Sequence, residues 1–508
     1  MMLKSSRLAA FFAGCLVFLA ASWALAFDLE ERVIKTRLKN GLTVLMVERD
    51  FSPTVSLYIR FRVGAVDEAK GETGAAHFLE HMMFKGTKTI GTKDFAAEEK
   101  VLARIEQLGQ ALDDERKKGN ASDEKRIGEL SSRLKALQDE HRRFYLPNEI
   151  DRLYTQNGGQ DMNASTGQDV TTYYISLPAN KLELWARIES DRLRNPVFRE
   201  FYTERDVIME ERRQRVETSP DGALYEAFMA AAYKVHSYGL PILGLPEDLT
   251  FMSPVAIRAI HKKYLAAENI VIAVVGDIDP DKTLSMIDRY FGALPSSPPR
   301  PTSISPEPPQ DGQRRVNISF DANPSMIIGF HKPNAPSSDD YVFDVLETIL
   351  ARGRTSRLYS KLVLDRQIAQ SVSAYNGLPS SRYPNLFAIF ASPRHPHTGP
   401  ELEAAILTEL DDLKQRPVAD EELARSKRQL KMDYIKSLNS NSKLASTLSY
   451  YELLMGDYRY FSNYVAEIDK VSAEDIQRAA ATYLNETNRT VAHLVRSQEN
   501  RQKKAEHE

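Results

Sequence analysis

A proline- and serine-rich segment near the middle of the chain, residues 294–313, limits the possible fold more than any other stretch. Proline lacks a backbone donor and disrupts helices and central strands, so this segment is expected to be a linker. The chain has 508 residues, which is more than one hydrophobic core usually serves. We therefore predict two domains, residues 27–293 and 314–496, followed by a polar, disordered tail at residues 497–508.

On each side of the linker, strand-like and helix-like segments alternate. Short runs of β-branched and aromatic residues predict strands, and segments with apolar residues at helical spacing predict helices. The predicted strands are residues 43–47, 55–61, 269–276, 316–320, 326–330, 386–391 and 490–495. The predicted helices are residues 73–84, with Thr73 as N-cap, and residues 181–194, 200–216, 281–291 and 339–352. This pattern predicts an α+β fold in which each domain is a sheet flanked by helices.

The first 26 residues have the features of a secretory signal peptide. Basic residues precede an apolar run at residues 8–21, and a small-x-small pattern predicts cleavage after Ala26. An uncleaved anchor is the alternative, because the apolar stretch from Leu8 to Ala26 is nearly long enough to span a bilayer. The one cysteine, Cys15, lies in this segment, so thiol chemistry and cysteine metal ligation are excluded for the mature chain.

The rest of the chain has the composition of a soluble globular protein. No later stretch is long and apolar enough to cross a membrane, so no membrane attachment is expected after cleavage. The formal net charge of −3 gives no electrostatic basis for binding nucleic acid. No glycine-rich phosphate loop is present, so a nucleotide cofactor is not expected.

Residues 95–143 depart from this alternation of strands and helices, because they are mostly Glu, Lys, Arg, Ala, Leu and Gln. Apolar residues such as Val101, Ile105 and Leu112 recur at helical spacing, and Gly119 interrupts the pattern once. The segment is predicted to be a protruding helical hairpin inserted into the first domain. Its charge pattern favours a solvated decoration, and a contact surface for a partner or substrate is the alternative.

The pattern His77-x-x-Glu80-His81 is the strongest chemical signal in the chain. Residues four apart lie on one face of a helix, so both imidazoles can reach one metal ion, and imidazole nitrogen suits zinc. Glu80 lies beside that face, where its carboxylate can take a proton from a water activated by the metal. The order H-x-x-E-H is the inverzincin signature. Spacing alone also fits two surface histidines on an ordinary helix.

A catalytic zinc usually has a third protein ligand, and an acidic helix further along the chain can supply it. Glu204 and Glu211 are seven residues apart and share a helix face, whereas Glu210 points elsewhere. One carboxylate would bind the metal, and the other would orient a ligand from behind. Without the histidines, an ordinary charged surface helix would explain the same residues.

Over nearly the whole mature chain, the sequence resembles the pitrilysin family of zinc peptidases. Within that family it resembles the two-domain, half-length subunits that include the mitochondrial processing peptidase. Residues 62–68 and 74–87, which contain the histidine motif, resemble the family signature almost throughout. Residues 163–166 resemble an edge strand that pairs with extended substrate, and residues 204–211 resemble the segment with the distal zinc ligand. Residues 276–279 resemble the end of the first domain.

The resemblance implies one Zn²⁺ per chain and a role for each residue of the site. These residues are the zinc ligands His77, His81 and Glu211, the catalytic residues Glu80 and Glu204, and the substrate-binding residues Asn163 and Ala164. Glu80 would be the base and Glu204 the supporting carboxylate. The interval between the two ligand segments is longer than usual for the family, which the inserted hairpin explains.

One departure from the family pattern concerns substrate binding. The family's second domain often supplies an Arg and a Tyr, seven residues apart, that hold the substrate near the scissile bond. Here Val363 and Gln370 stand at those places, and Arg366 is displaced by nearly a helical turn. The resemblance therefore implies a heterodimer, in which a related subunit supplies the Arg and the Tyr. A weakly active homodimer is the alternative.

The predicted function is that of a zinc metalloendopeptidase acting on extended or unfolded peptides. Pairing of a substrate with an edge strand favours recognition of backbone over a strict side-chain code. The alternative is a non-catalytic assembly subunit that keeps the peptidase fold, as some relatives do. The secretory segment together with the resemblance predicts export across the inner membrane to a bacterial periplasm.

Overall fold

The computed structural model describes residues 29–296 and 304–496, which form two β-sheets covered by helices. The predicted signal peptide, the predicted tail and the middle of the linker lie outside the described residues. The first sheet contains β1 (Ile34–Arg37), β2 (Thr43–Glu48), β3 (Thr54–Phe61), β4 (Gln160–Thr166), β5 (Thr171–Pro178) and β6 (Ile270–Gly276). The second contains β7 (Arg314–Phe320), β8 (Ser325–Lys332), β9 (Ala369–Leu378), β10 (Asn385–Pro393) and β11 (Arg489–Arg496).

The first sheet has the strand order β1-β2-β6-β3-β5-β4. Its pairs are antiparallel except for β2 and β6, which run parallel. Strand β6 is buried at every residue, as its unbroken apolar sequence predicts for a strand covered on both faces. Strand β4 lies at the end of the sheet and pairs with β5 alone, so its other edge is open.

The second sheet repeats this arrangement with one strand fewer. Its order is β7-β11-β8-β10-β9, and only β7 and β11 run parallel. Strands β2, β6, β3, β5 and β4 of the first sheet therefore correspond in order to β7, β11, β8, β10 and β9 of the second. The predicted α+β architecture, two similar halves of sheet and helices, is confirmed.

The helices cover these sheets. Those of the first half are α1 (Leu29–Arg32), α2 (Ala75–Met82), α3 (Phe95–Arg116), α4 (Glu124–His141), α5 (Glu149–Gln156), α6 (Leu182–Arg194), α7 (Phe201–Arg212), α8 (Pro220–Ala232), α9 (Pro246–Thr250), α10 (Pro254–Tyr264) and α11 (Pro280–Phe291). Those of the second half are α12 (Ser338–Ala351), α13 (Gly399–Gln415), α14 (Asp420–Ser437), α15 (Asn441–Met455), α16 (Arg459–Ser462), α17 (Tyr464–Lys470) and α18 (Ala473–Tyr483). Within the described ranges, none of these helices combines the length and the hydropathy that crossing a bilayer requires.

The two halves are joined by both apolar and ionic contacts. Helix α15 of the second half packs on β3 and β6, where Leu444 and Leu448 join the core of the first sheet. Nη1 of Arg382, in the second half, donates to both oxygens of the buried Asp67 carboxylate, at 2.9 and 3.0 Å. In the described end of the linker, the Glu307 carboxylate accepts hydrogen bonds from three successive backbone amides, those of residues 234–236. These contacts fix the second half against the first.

Helices α3 and α4 form an antiparallel hairpin, hereafter the hairpin, which lies along the first half. At its base the Glu98 carboxylate is fully buried and contacts Arg199 (2.7 Å) and His141 (2.7 Å). The same Arg199 donates to the backbone carbonyls of Lys85 and Thr87, just beyond α2. The hairpin is therefore docked through buried charges along its inner side, and the expectation of a solvated decoration is wrong for that side.

We expect Arg199→Met to destabilise the protein by about 3–5 kcal/mol, because it leaves the buried Glu98 carboxylate without its cation. The matched control is Arg142→Met, which removes an exposed arginine that pairs with Asp139 on the outer side of the hairpin. The control should change stability by less than about 1 kcal/mol. Urea unfolding measures the free energy of unfolding of both variants. Equal losses of stability would contradict the prediction that the buried Arg199–Glu98 pair matters more than the exposed Arg142–Asp139 pair.

Candidate metal and catalytic site

The helix that carries the histidines, α2, begins at Gly74, whose φ of 87° lies in the left-handed region that suits glycine. The buried carboxylate of Glu68 accepts hydrogen bonds from the amides of Gly74 (2.8 Å) and Ala76 (2.7 Å). The predicted N-cap, Thr73, is wrong, because its hydroxyl donates to Asp248 instead (2.5 Å). A side chain from outside the helix thus satisfies the amides at its start and fixes where it begins.

The second element of the site is α7, which packs against α2. Its side toward α2 carries Glu204 and Glu211, as the seven-residue spacing predicts. Glu210 is exposed and instead pairs with Arg213, as expected from its position on the helix. Two helices that are distant in sequence therefore supply the charged and imidazole groups of one site.

His77, His81 and Glu211 converge between these two helices. The Nε2 atoms of His77 and His81 lie 3.8 and 3.5 Å from Oε2 of Glu211. One ligand atom from each of the three residues lies within 4.8 Å of the others. Among the described residues, no other group of three or more His, Cys, Asp or Glu side chains converges in this way.

The donor atoms and their spacing fit a zinc ion. Bonds of about 2.0–2.1 Å in a tetrahedral site place the donors about 3.4 Å apart, close to the two distances measured to Glu211. Two imidazoles and one carboxylate form a donor set that zinc uses in catalytic sites, with a fourth position for water or substrate. The residues present therefore suit the metal that the sequence motif predicts.

Glu204 orients His81 from behind. Its carboxylate lies 2.8 Å from Nδ1 of His81 and 2.6 Å from Nζ of Lys85. Burial disfavours the charge on Glu204, but the hydrogen bonds from His81 and Lys85 outweigh it and lower its pKa to about 2. The ionised carboxylate accepts a hydrogen bond from the Nδ1–H of His81, which turns Nε2 of His81 toward Glu211. Glu204 therefore acts through His81 and does not itself join the three-donor cluster.

His77 is the most deeply buried member of the cluster. Burial and the neighbouring His81 lower the pKa of His77 to about 4. Its imidazole is therefore neutral at physiological pH, which is the form that binds a metal ion. Its Nδ1 atom is buried and has no hydrogen-bond partner among the described residues.

The outer oxygen of Glu211 contacts Arg215, at 3.1 Å. Arg215 lies on a π-helical turn, Arg213–Glu217, which continues α7 in place of the last regular turn of the helix predicted over residues 200–216. A hydrogen bond accepted from His81, together with the positive charge of Arg215, lowers the pKa of the Glu211 carboxyl. The carboxylate is therefore charged at neutral pH, as a metal ligand requires.

Glu80 lies beside the cluster and is held by another element. Its Oε2 accepts a hydrogen bond of 2.5 Å from the hydroxyl of Thr166, the last residue of β4. Burial raises the pKa of Glu80, which suits a base that must later return its proton. Thr166 is not among the site residues predicted from the sequence, although it belongs to the motif of residues 163–166.

Asn163 and Ala164 lie on β4, the strand with the open edge. Ala164 stands opposite Tyr173 of β5, and the backbone amide of Ala164 donates to Oδ1 of Asn163 at 2.8 Å. Because Thr166 at the end of this strand contacts Glu80, the open edge leads directly to the site. An extended peptide paired with β4 would run past the Glu80 carboxylate.

The two second-half positions that depart from the family pattern lie in different surroundings. Val363 is buried in the second core, on the π-helical turn Tyr359–Asp365. Gln370 is exposed near the start of β9. Arg366 is exposed at the end of the π-helical turn. The family's arginine position is therefore occupied here by Val363, whose side chain packs in the second core.

Two family models match the chain. The model described as "Insulinase (Peptidase family M16)" matches residues 43–114 and 144–245, which include the three converging donors and Glu80. The model described as "Peptidase M16 inactive domain" matches residues 252–430. The first model leaves residues 115–143 unmatched, and these form the end of α3 and the whole of α4.

Individual proteins are similar over most of the chain. The chain is 26% identical to the zinc protease PqqE of Helicobacter pylori over 464 residues, which cover 90% of this chain and 91% of that protein. The crystal structure of a protease from Helicobacter pylori matches with a TM-score of 0.76 and 25% identity, over 91% of this chain and 99% of that one. The periplasmic protease PqqL of Escherichia coli matches in fold, with a TM-score of 0.68 and 18% identity.

The extent of these matches also shows the size class of the protein. The match to PqqL covers 93% of this chain but 48% of PqqL, whereas the Helicobacter pylori proteins are matched nearly end to end. The two family models together cover well over half of the chain, and they confirm the predicted resemblance. The chain belongs to peptidase family M16, the pitrilysin family, and to its two-domain, half-length branch.

Proposed function

We propose that this chain is a zinc metalloendopeptidase that hydrolyses extended or unfolded peptides and is the zinc-bearing subunit of a dimer. The observation that supports this most is the convergence of His77, His81 and Glu211 with Glu80 beside them. All groups needed to hold a catalytic zinc and to move a proton stand in one place. Relatives named zinc proteases that match about nine-tenths of the chain support the same class of activity.

When bound by these three ligands, zinc supplies Lewis acidity that lowers the pKa of water and polarises a peptide carbonyl. The chain's own residues do the rest. Glu80 takes the proton from the attacking water and delivers it to the leaving amine nitrogen. The Thr166 hydroxyl holds one oxygen of Glu80 and leaves the other free for this transfer. Glu204 keeps the Nδ1 proton on His81, so that the ring presents Nε2 to the metal site.

The open edge of β4 supports an extended peptide as substrate. A peptide that adds to a sheet edge is held by its backbone, so the sequence of its side chains matters less. At this edge the Ala164 amide is already satisfied by Asn163, whose side chain must turn away before a substrate carbonyl can take its place. We infer that Asn163 and Ala164 bind the substrate backbone beside Glu80.

The half-length chain supports a dimer. The family resemblance implies that four domains enclose the substrate, and the described residues of this chain form two sheets. Val363 and Gln370 replace the arginine and tyrosine that hold substrate in other members, so we propose that a related subunit supplies both. A homodimer of lower activity is the alternative.

A non-catalytic role is the second candidate function. The absence of an arginine at Val363 and a tyrosine at Gln370 favours it, and the family model for this half carries the description "inactive domain". That model begins at residue 252, however, and the cluster of His77, His81 and Glu211 lies in the half matched by the other model. The complete set of donors favours the catalytic function.

The signal-like N-terminal segment supports export, and we propose that the mature protein works in a bacterial periplasm. The fold match to a protease described as periplasmic agrees with this location. The segment itself lies outside the described residues.

Loss of the third ligand should abolish tight zinc binding. We expect Glu211→Gln to weaken zinc affinity by more than about 100-fold, because even the partners that orient ligands contribute about 10- to 100-fold. The matched control is Glu210→Gln, since Glu210 is the neighbouring residue and is exposed on another side of α7. Competition with a chelator of known affinity measures both. Equal affinities in the two variants would refute Glu211 as a ligand.

Removal of the proposed base should separate catalysis from metal binding. We expect Glu80→Gln to retain one zinc per chain but to lower kcat by about 100- to 10,000-fold, the usual contribution of general acid–base catalysis. Zinc content by mass spectrometry and cleavage of a quenched fluorescent peptide measure the two properties. An active Glu80→Gln enzyme would assign the proton transfer to another group.

Activity should depend on a second subunit. We expect the chain alone to bind zinc but to cleave peptides slowly, and a related two-domain protein with the arginine and tyrosine to restore turnover on mixing. The Glu80→Gln chain, mixed with the same partner, is the control that assigns activity to this site. Full activity of the isolated chain would disprove the shared site, and zinc binding without cleavage in any pairing would favour the non-catalytic function.

A further inference from the structure

The helix that carries Glu204 and Glu211, α7, has a second buried side. Tyr202 and Arg205 lie on the side that adjoins the one facing the histidines, and both are buried. This second side packs against α3 of the hairpin through three kinds of contact: an ion pair, a ring against a glycine, and a hydrogen bond to a backbone carbonyl. The histidine helix and the hairpin therefore hold α7 from two directions.

The ion pair is the strongest of these contacts. Both guanidinium nitrogens of Arg205 donate to the Asp113 carboxylate, at 2.7 and 3.0 Å, and one also donates to the carbonyl of Met252 at 3.2 Å. Asp113 is 2% exposed and Arg205 is 5% exposed. A buried two-pronged pair permits little change in the distance or angle between its carriers, because any shift leaves a charge unpaired.

Close packing at Gly109 adds a steric limit beside the ion pair. A Cβ atom at Gly109 would lie 1.9 Å from Cζ of Tyr202, so the aromatic ring touches the α3 backbone where glycine leaves room. The Tyr202 hydroxyl also donates to the carbonyl of Glu106 at 3.3 Å. The ring and the ion pair together fix both the distance between α3 and α7 and their relative rotation.

The hairpin extends beyond what the family model describes. The matching segments omit residues 115–143, so α4 and the connection to it are additional to the family core. Helix α4 packs along α3, with Leu130, Leu134 and Leu137 buried between them. An added helix that stiffens α3 from outside would, through α3, stiffen α7.

We propose that the hairpin is a brace for the metal site, and that Asp113 and Arg205 are positioning residues that set the place of Glu211 relative to His77 and His81. This rests on the proposed function, since it assumes that Glu211 is a metal ligand. Glu204 and Glu211 share one short helix with Arg205, so a rotation of α7 would move both carboxylates away from their histidine partners. The brace affects metal affinity by fixing the position of α7. None of its residues contacts the metal.

The test is the zinc affinity of the full-length mature chain, measured with a competing chelator below the unfolding temperature of every variant. We expect Asp113→Asn to weaken affinity by about 10-fold, the lower end of the effect of partners that orient metal ligands. Asp113→Glu keeps the charge and should recover part of this loss. The control, Asp139→Asn, removes an exposed carboxylate from the outer side of the same hairpin and should leave affinity unchanged.

Hydrogen exchange of residues 201–212 in the absence of metal gives a second measurement that does not depend on zinc. Exchange should be faster in Asp113→Asn than in the wild type or in Asp139→Asn. Should Asp113→Asn fail to fold, Tyr202→Phe replaces it; this variant loses only the hydrogen bond to Glu106, and we expect a two- to five-fold loss of affinity.

The outcomes separate the brace from the proposed function. A wild-type chain that binds no zinc would end the proposed function and the brace's role in metal affinity, and the exchange measurement would still decide whether Asp113 holds α7 in place. Wild-type affinity in the folded Asp113→Asn protein, with unchanged exchange of α7, would overturn the brace while leaving zinc binding intact. Lower thermal stability without a change in affinity would make Asp113 a purely structural residue and would also overturn the proposal.

Discussion

The site depends on a fixed arrangement of two helices. Helix α2 carries His77 and His81, and helix α7 carries Glu211. Neither helix is long, with 8 residues in α2 and 12 in α7, so neither is held in place by its own hydrogen bonds. Their positions come from what surrounds them. Glu68 satisfies the amides at the start of α2, and Glu204 spans from α7 to His81. An error of about one ångström in either helix would separate the three donors beyond the reach of one ion.

Three buried carboxylates near this pair of helices have a cationic partner from another element. Glu98 joins the hairpin to Arg199, Asp113 joins it to α7, and Asp67 joins the first half to the second. Such pairs contribute little net stability, because desolvation offsets most of the attraction between the charges. Their value here is geometric: an unpaired buried charge is so unfavourable that alternative packings of these elements are excluded. The protein accepts this cost around the site, where position matters most.

The parts of the site that sequence predicted are those set by local spacing. The four-residue interval of the histidines and the seven-residue interval of Glu204 and Glu211 fix helix faces, and the structure brings these faces together. Strands with unbroken apolar runs, such as β6, were also predictable, whereas β1, β5 and β9 were not predicted. The open edge at β4 came from the family resemblance and not from residue pattern.

Contacts between distant segments were not predictable from the same rules. Threonine often caps helices, and Thr73 is in the right place in the sequence. The buried carboxylate of Glu68, six residues before Gly74, nevertheless accepts the hydrogen bond from the first amide. The charged hairpin suggests a solvated surface, because a sequence does not show which of its many carboxylates is paired. Asp113 differs from its neighbours only in that Arg205 lies opposite it in the fold. Thr166 likewise gains its meaning from Glu80, which is distant along the chain and close in space.

The contacts between the two halves bear on the proposal that a second chain supplies the arginine and the tyrosine. A mobile second half could bring Arg366 or another cation to the site by closing over it. The contacts between the halves oppose this, since Arg382 is locked to Asp67 and the linker carboxylate of Glu307 is held by three amides. Breaking these contacts would leave buried charges without partners. The free-energy cost would be comparable to that of unfolding a local segment. A second chain can supply an arginine and a tyrosine without disturbing any of these contacts. The contacts between the two halves therefore favour the proposed assembly with a second chain over domain closure.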